Sequence, residues 1–208
     1  MRVRKISAGY IKVLVLLSLL YSQVTILQAS EKWRINGSET IITRGYEIAL
    51  AFEGVREATG KNDGYWQRRF QKSVGISAGS PYCYAFQYFC MDSARRELGL
   101  EEAQMPLPKT GLANAFLDYA SKRGQKVEYR AKRYNFLLWR FEKRYWSKGH
   151  IAGILEVSNG GNIITIEANT RCGSQGNERE GDGICQKKRN YKHPLGRMKY
   201  KAIIEVKG

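Results

Sequence analysis

HIAGILEVSNGGNIITIE, residues 150–167, holds two apolar runs separated by the pair Gly160-Gly161. Both runs, 150–157 and 162–167, are rich in branched aliphatic residues and shorter than an ordinary helix. The Gly-Gly joint supplies the positive φ of a tight hairpin turn. An antiparallel hairpin is the expected structure. FLLWRF (136–141) reads as a further strand upstream, and 183–189 and 199–206 read as two more downstream.

Helical periodicity dominates the region before 136. Residues 45–52 place Ile48, Ala51 and Phe52 on one face and end near Gly54. Residues 58–64, ATGKNDG, are turn chemistry. Residues 65–74 repeat Trp66, Phe70 and Val74 at helical spacing, and 75–81 form a loop ending in the helix-start signal Ser80-Pro81. The helix 83–98 carries the stripe Cys83, Phe86, Cys90 and Ala94, and a fourth runs over 112–122 before Gly124. Helices first and a strand meander second predict an α+β fold, with N-terminal helices packed on a C-terminal antiparallel sheet.

The first 29 residues stand apart. Arg2, Arg4, Lys5 and Lys12 precede the apolar run VLVLLSLL (13–20), and Leu27-Gln28-Ala29 offers a small residue for cleavage. The run is shorter than the ~20 residues of a membrane span, so 1–29 reads as a signal peptide and the product as secreted or periplasmic. Residues 30–42 read as an extended lead-in, and 43–208 as one domain. The net charge is +16; the leader holds four basic residues and no acid, which leaves +12 on the remainder. That balance suits an anionic wall or membrane surface. Nucleic acid is not expected as a partner, since no binding motif accompanies the charge.

Cys83 and Cys90 lie on one helix face two turns apart, ~10 Å along the axis, too far to bridge. Cys172 and Cys185 flank a Gly-rich loop and are expected to form the one disulfide. With no CxxC pair and only two His residues, zinc is not expected, nor is any other metal or cofactor.

A thiol attacks carbonyls as thiolate, which a helix N-terminus and a neighbouring imidazolium favour. Cys83 opens its helix and meets the first condition, and its own amide is free to donate to an oxyanion. Cys90 sits deeper, flanked by Phe89 and Met91, and reads as a buried hydrophobe. His150 begins an apolar strand, whereas His193 lies in the polar turn YKHPLG. The returning strand brings Glu167 and Asn169 beside His150. Spaced by two on a strand, they are expected to share a face, and either can fix the imidazole tautomer.

The segments GYEIALAFEGVREATGKNDG (45–64), SPYCYAFQYFC (80–90), LLWRF (137–141) with KGHIAGI (148–154), IEANT (166–170) and GDGIC (181–185) occur in this order. Together they resemble the cysteine, histidine-dependent amidohydrolase/peptidase (CHAP) domain family of bacterial peptidoglycan hydrolases, over residues 43–190. The resemblance implies a papain-like fold and an N-acetylmuramoyl-L-alanine amidase or peptidoglycan endopeptidase. In it Cys83 is the nucleophile, His150 the base, Glu167 the residue orienting the imidazole, and Asn169 its assistant. Tyr134-Asn135 stand where the family often has Gly-Asp, and Tyr84 is bulky where it is usually small. The Cys172/Cys185 pair is not a feature of the family.

Asn62, Asp63 and Gly64 are expected in a loop at the cleft, and Tyr82 as a lining residue. The loops 58–64, 75–81 and 172–185 are expected to shape the groove. A monomer acting on peptidoglycan is the leading expectation. The rival readings are a non-catalytic module of the same fold that binds wall polymer or a protein partner, and a toxin-type amidase with an immunity partner.

Overall fold

The protein, described by a computed structural model over residues 31–141, 148–173 and 181–208, is α+β. The expected leader, residues 1–29, lies outside the described residues. The lead-in divides in two. Glu31–Asn36 form a strand, β1, and the first helix, α1, runs Glu39–Ala51, starting before the expected Gly45. Ser38 caps it, its side chain accepting from the Ile41 amide at 3.3 Å, and Glu39 sits favourably in the first turn. Gly45 is a crossing point instead of a start. A Cβ there would run into Met91 of the central helix, so glycine lets the two helices approach closely.

The other helices are α2 (Tyr65–Ser73), α3 (Cys83–Glu97) and α4 (Ala113–Arg123). α3 was expected to bury one stripe. Its first half is buried all round, from Cys83 to Tyr88, because α1 and α2 flank it while β4 and β5 face it.

The strands after β1 are β2 (Gln125–Lys126), β3 (Phe136–Arg140), β4 (Gly149–Val157), β5 (Asn162–Thr170), β6 (Gly183–Asn190) and β7 (Lys199–Lys207). They form one sheet in the order β2-β1-β7-β3-β4-β5-β6. The expected purely antiparallel sheet is corrected to a mixed one, because β1 runs parallel to β7. Charge helps fix this pairing. Arg34 lies opposite Glu205, and Lys32 and Arg34 reach the Glu205 carboxylate at 3.2 and 3.0 Å.

Both faces of the sheet are covered, which explains the unbroken apolar run in β3. Phe136 and Leu138 join the core under the helices. Leu137 and Trp139 join a smaller cluster behind, with Ile154, Ile163 and Ile203, covered by Tyr129, Tyr191 and Leu195. Among the described residues no helix is long and apolar enough to cross a membrane.

Candidate active site

Cys83 is the first residue of α3 and is 7% exposed. The helix lacks a side-chain cap of its own at Tyr82. β5 supplies a substitute, since Asn169 Oδ1 accepts the Tyr82 amide at 3.0 Å. The amides of the first turn, Cys83's included, have no partner within the helix, and their dipoles converge at its start. Cys83 Sγ lies 4.0 Å from the Gly149 carbonyl, at the residue preceding His150.

His150 is the second residue of β4 and is nearly buried. Its Nε2 bonds Glu167 Oε2 at 2.9 Å, which leaves Nδ1 for Cys83. Trp139 packs beside the ring, with centroids 6.0 Å apart. Burial disfavours the charged imidazole, but the hydrogen bond with Cys83, that with Glu167, and the charges of both outweigh it. The His150 pKa is thereby pushed up to about 10. The imidazole is thus built to hold a proton beside sulfur.

Glu167 is fully buried on β5. Its burial is compensated by three partners. Arg189 grips it in a fork, Nε to Oε1 and Nη2 to Oε2, both at 2.8 Å. Thr165 Oγ1 donates to Oε1 at 2.6 Å, and His150 completes the set. Burial alone raises a carboxyl pKa, yet the bonds to Arg189 and His150 hold this one well below the usual carboxylate range. Arg189 is the residue the sequence reading passed over, inside the basic run KKR. Its signal is alternation on β6, where Cys185, Lys187 and Arg189 are partly buried between exposed Gln186 and Lys188.

Asn169 stands elsewhere than expected. Its backbone is left-handed, φ 56°, and the β5–β6 register shifts between Ala168 and Thr170. Those two irregularities break the alternation that was to put Glu167 and Asn169 on one face. The Asn169 side chain turns to the start of α3 instead of to the imidazole.

Tyr82 is also corrected. Its side chain is 0% exposed and packs near Phe70, so its role is in the core and not as a cleft lining. Tyr84, the bulky residue after Cys83, points inward too, its hydroxyl donating to the Pro108 carbonyl at 2.8 Å. Cys90 is fully buried, and burial pushes its thiol pKa well up, as suits a core residue.

The loops 58–64 and 75–81 do meet. Asn62 Nδ2 donates to the Gly79 carbonyl, and Gln71 Nε2 bridges the carbonyls of Asn62 and Ser80. Asp63 is spent on its own turn, accepting from the amide and hydroxyl of Thr59, and Gly64 (φ 130°) opens α2. Asn62, Asp63 and Gly64 therefore shape a loop, and among the described residues none of them hydrogen-bonds to Cys83, His150 or Glu167. The expected disulfide, Cys172–Cys185, is present, and Arg56, which precedes the 58–64 loop, reaches the Cys172 carbonyl and Asp182 beside it. Residues 174–180 of the third expected loop lie outside the described residues.

A thiol at a helix start, an imidazole against it and a buried carboxylate behind the imidazole form a unit able to attack a carbonyl and protonate a leaving group. Comparison of the chain with family models, with curated proteins and with solved structures finds no match.

Proposed function

We propose that the protein is an exported cysteine hydrolase of the CHAP type, with a papain-like arrangement, that cleaves an amide bond in peptidoglycan. One observation carries the reading: the single imidazole of His150 is bracketed by Cys83 and by a carboxylate that is itself locked by Arg189. A structural histidine needs no thiol at a helix start on its other side. The substrate class comes from the resemblance of the ordered motifs. Export is supported by the leader-like 1–29 segment and by the Cys172–Cys185 bridge, which persists in oxidising compartments. The strongly basic surface suits an anionic wall.

In the proposed reaction the Cys83 sulfur attacks the amide carbonyl, and the Cys83 amide donates to the oxyanion. His150 gives its proton to the departing amine as the C–N bond breaks, leaving a thioester. His150 then takes a proton from water, whose oxygen attacks the thioester, and Cys83 leaves with the acid product released. Glu167 keeps Nε2 protonated and Nδ1 directed at sulfur throughout.

Purified sacculi test the reading. The wild-type chain is expected to release soluble fragments. Cys83→Ala is expected to release none while keeping the wild-type circular dichroism and melting temperature. Undiminished release by the folded variant contradicts the proposal.

A further inference from the structure

Gln87 is the one amide side chain on α3. Its neighbours Ala85, Phe86 and Tyr88 are buried hydrophobics, and Gln87 itself is 0% exposed. Its Nε2 donates to the Ile166 carbonyl of β5 at 3.3 Å. Its Oε1 is buried with no hydrogen-bond partner among the described residues.

A buried acceptor left unpaired costs stability, and a methionine or leucine at this place would avoid that cost. The strand gains little from the bond in return. Ile166 lies inside the sheet, opposite Gly153 on β4 and Gln186 on β6. Packing alone therefore does not account for an amide here.

What the amide does supply is a second attachment between α3 and β5. The first is at the helix start, where Asn169 Oδ1 accepts the Tyr82 amide at 3.0 Å. On the helix the attachment points are residues 82 and 87, and Cys83 lies between them. On the strand they are residues 166 and 169, and Glu167 lies between them. Five residues of helix span ~7.5 Å, and three of strand span ~10 Å. A single hydrogen bond acts as a pivot. Two that far apart fix the direction of α3 against β5 as well as its distance. The imidazole of His150 depends on both elements, bonding Glu167 at 2.9 Å on one side and meeting Cys83 on the other.

Resting on the cysteine-hydrolase reading, we infer that Gln87 is a positioning residue, which with Asn169 forms a two-point brace holding the Cys83 thiol against the imidazole that Glu167 orients. The brace explains the amide. An apolar side chain would pack at least as well, but it would let the start of α3 tilt. A tilt that carries the sulfur ~1 Å from its place weakens the proton transfer on which thiol and imidazole both depend.

Gln87→Met keeps the length of the side chain and removes the donor. Its melting temperature is expected to equal or exceed that of the wild type. Alkylation of Cys83 by iodoacetamide at neutral pH, followed by peptide mass spectrometry, requires no substrate. It is expected to slow about tenfold in the variant, and fragment release from sacculi to fall by a similar factor. Cys90, fully buried, is expected to stay unlabelled in both proteins and so reports that the core is closed. Alkylation of Cys83 at the wild-type rate overturns the brace. Slowed alkylation with a lowered melting temperature overturns it too, as does loss of the fold in both Gln87→Met and Gln87→Leu, since either makes the amide a structural requirement. Slowed alkylation in the variant of a chain whose wild type releases nothing from sacculi overturns the amidase reading and leaves the brace in place.

Discussion

The buried Glu167 carries two consequences that pH separates. His150 has a pKa raised to about 10, so its charged form adds stability that is complete below the unfolded value of ~6.5 and is lost as pH rises through about 10. Glu167 has a depressed pKa, so its contribution is present above the unfolded value of ~4.3 and is lost only well on the acid side. Both charges therefore persist across the neutral range. In Glu167→Gln the carboxylate that helps hold the His150 proton is gone. The alkaline limb of kcat/KM is expected to move to lower pH by more than about one unit, and the fold to lose ~3 kcal/mol because the Arg189 guanidinium loses its charged partner. An unmoved limb in a full pH–rate profile contradicts this role. Cys83, His150 and Glu167 were legible because each stands at a readable local signal: a helix start, a strand start and the far arm of a hairpin. Arg189 was not, because one buried guanidinium is hidden among 35 basic residues. Asn169 was misplaced because a left-handed residue at a register shift leaves no trace in an alternating pattern.

At the scale of elements, the start of α3 is held by a strand and not by its own sequence. Asn169→Gly keeps a backbone suited to φ 56° and removes only the acceptor of the Tyr82 amide. It is expected to lower kcat about tenfold with KM little changed, ~1.4 kcal/mol of lost positioning. A variant with wild-type kcat contradicts the claim that this bond aims Cys83. The α1–α3 crossing gives a second test. Gly45→Ala ordinarily favours a helix, but here the added methyl meets Met91. Destabilisation of ~1–3 kcal/mol is expected in urea unfolding, against the gain of up to ~1 kcal/mol that an open helix position gives. Strands β3 to β7 and all four helices were readable from local periodicity, with the start of α1 placed late at Gly45 instead of Glu39. β1 was not, since its partner β7 lies at the far end of the chain and no local pattern reports a parallel pairing. β2, two residues long, falls below what periodicity detects.

For the molecule as a whole, the edge of the sheet nearest the site is fastened covalently. Cys185 lies directly opposite Glu167 on the neighbouring strand, and its bridge to Cys172 closes a loop with a sequence separation of 13. Cys172→Ser/Cys185→Ser is expected to lose ~3 kcal/mol. Treatment of the wild type with reductant is expected to lower the melting temperature to that of the variant, and a reductant-insensitive melt contradicts it. The proposed papain-like arrangement and the proposed wall substrate join these parts into one claim, that Cys83 acylates on an amide of peptidoglycan and passes the acyl group to water. Mass spectrometry of the fragments released from purified sacculi tests that claim most directly. Paired products are expected, with a new free amine and a new free carboxylate, together heavier than the parent by one water, and none with Cys83→Ala. Fragments ending at broken sugar–sugar bonds, or the same amide products from Cys83→Ala, would contradict it.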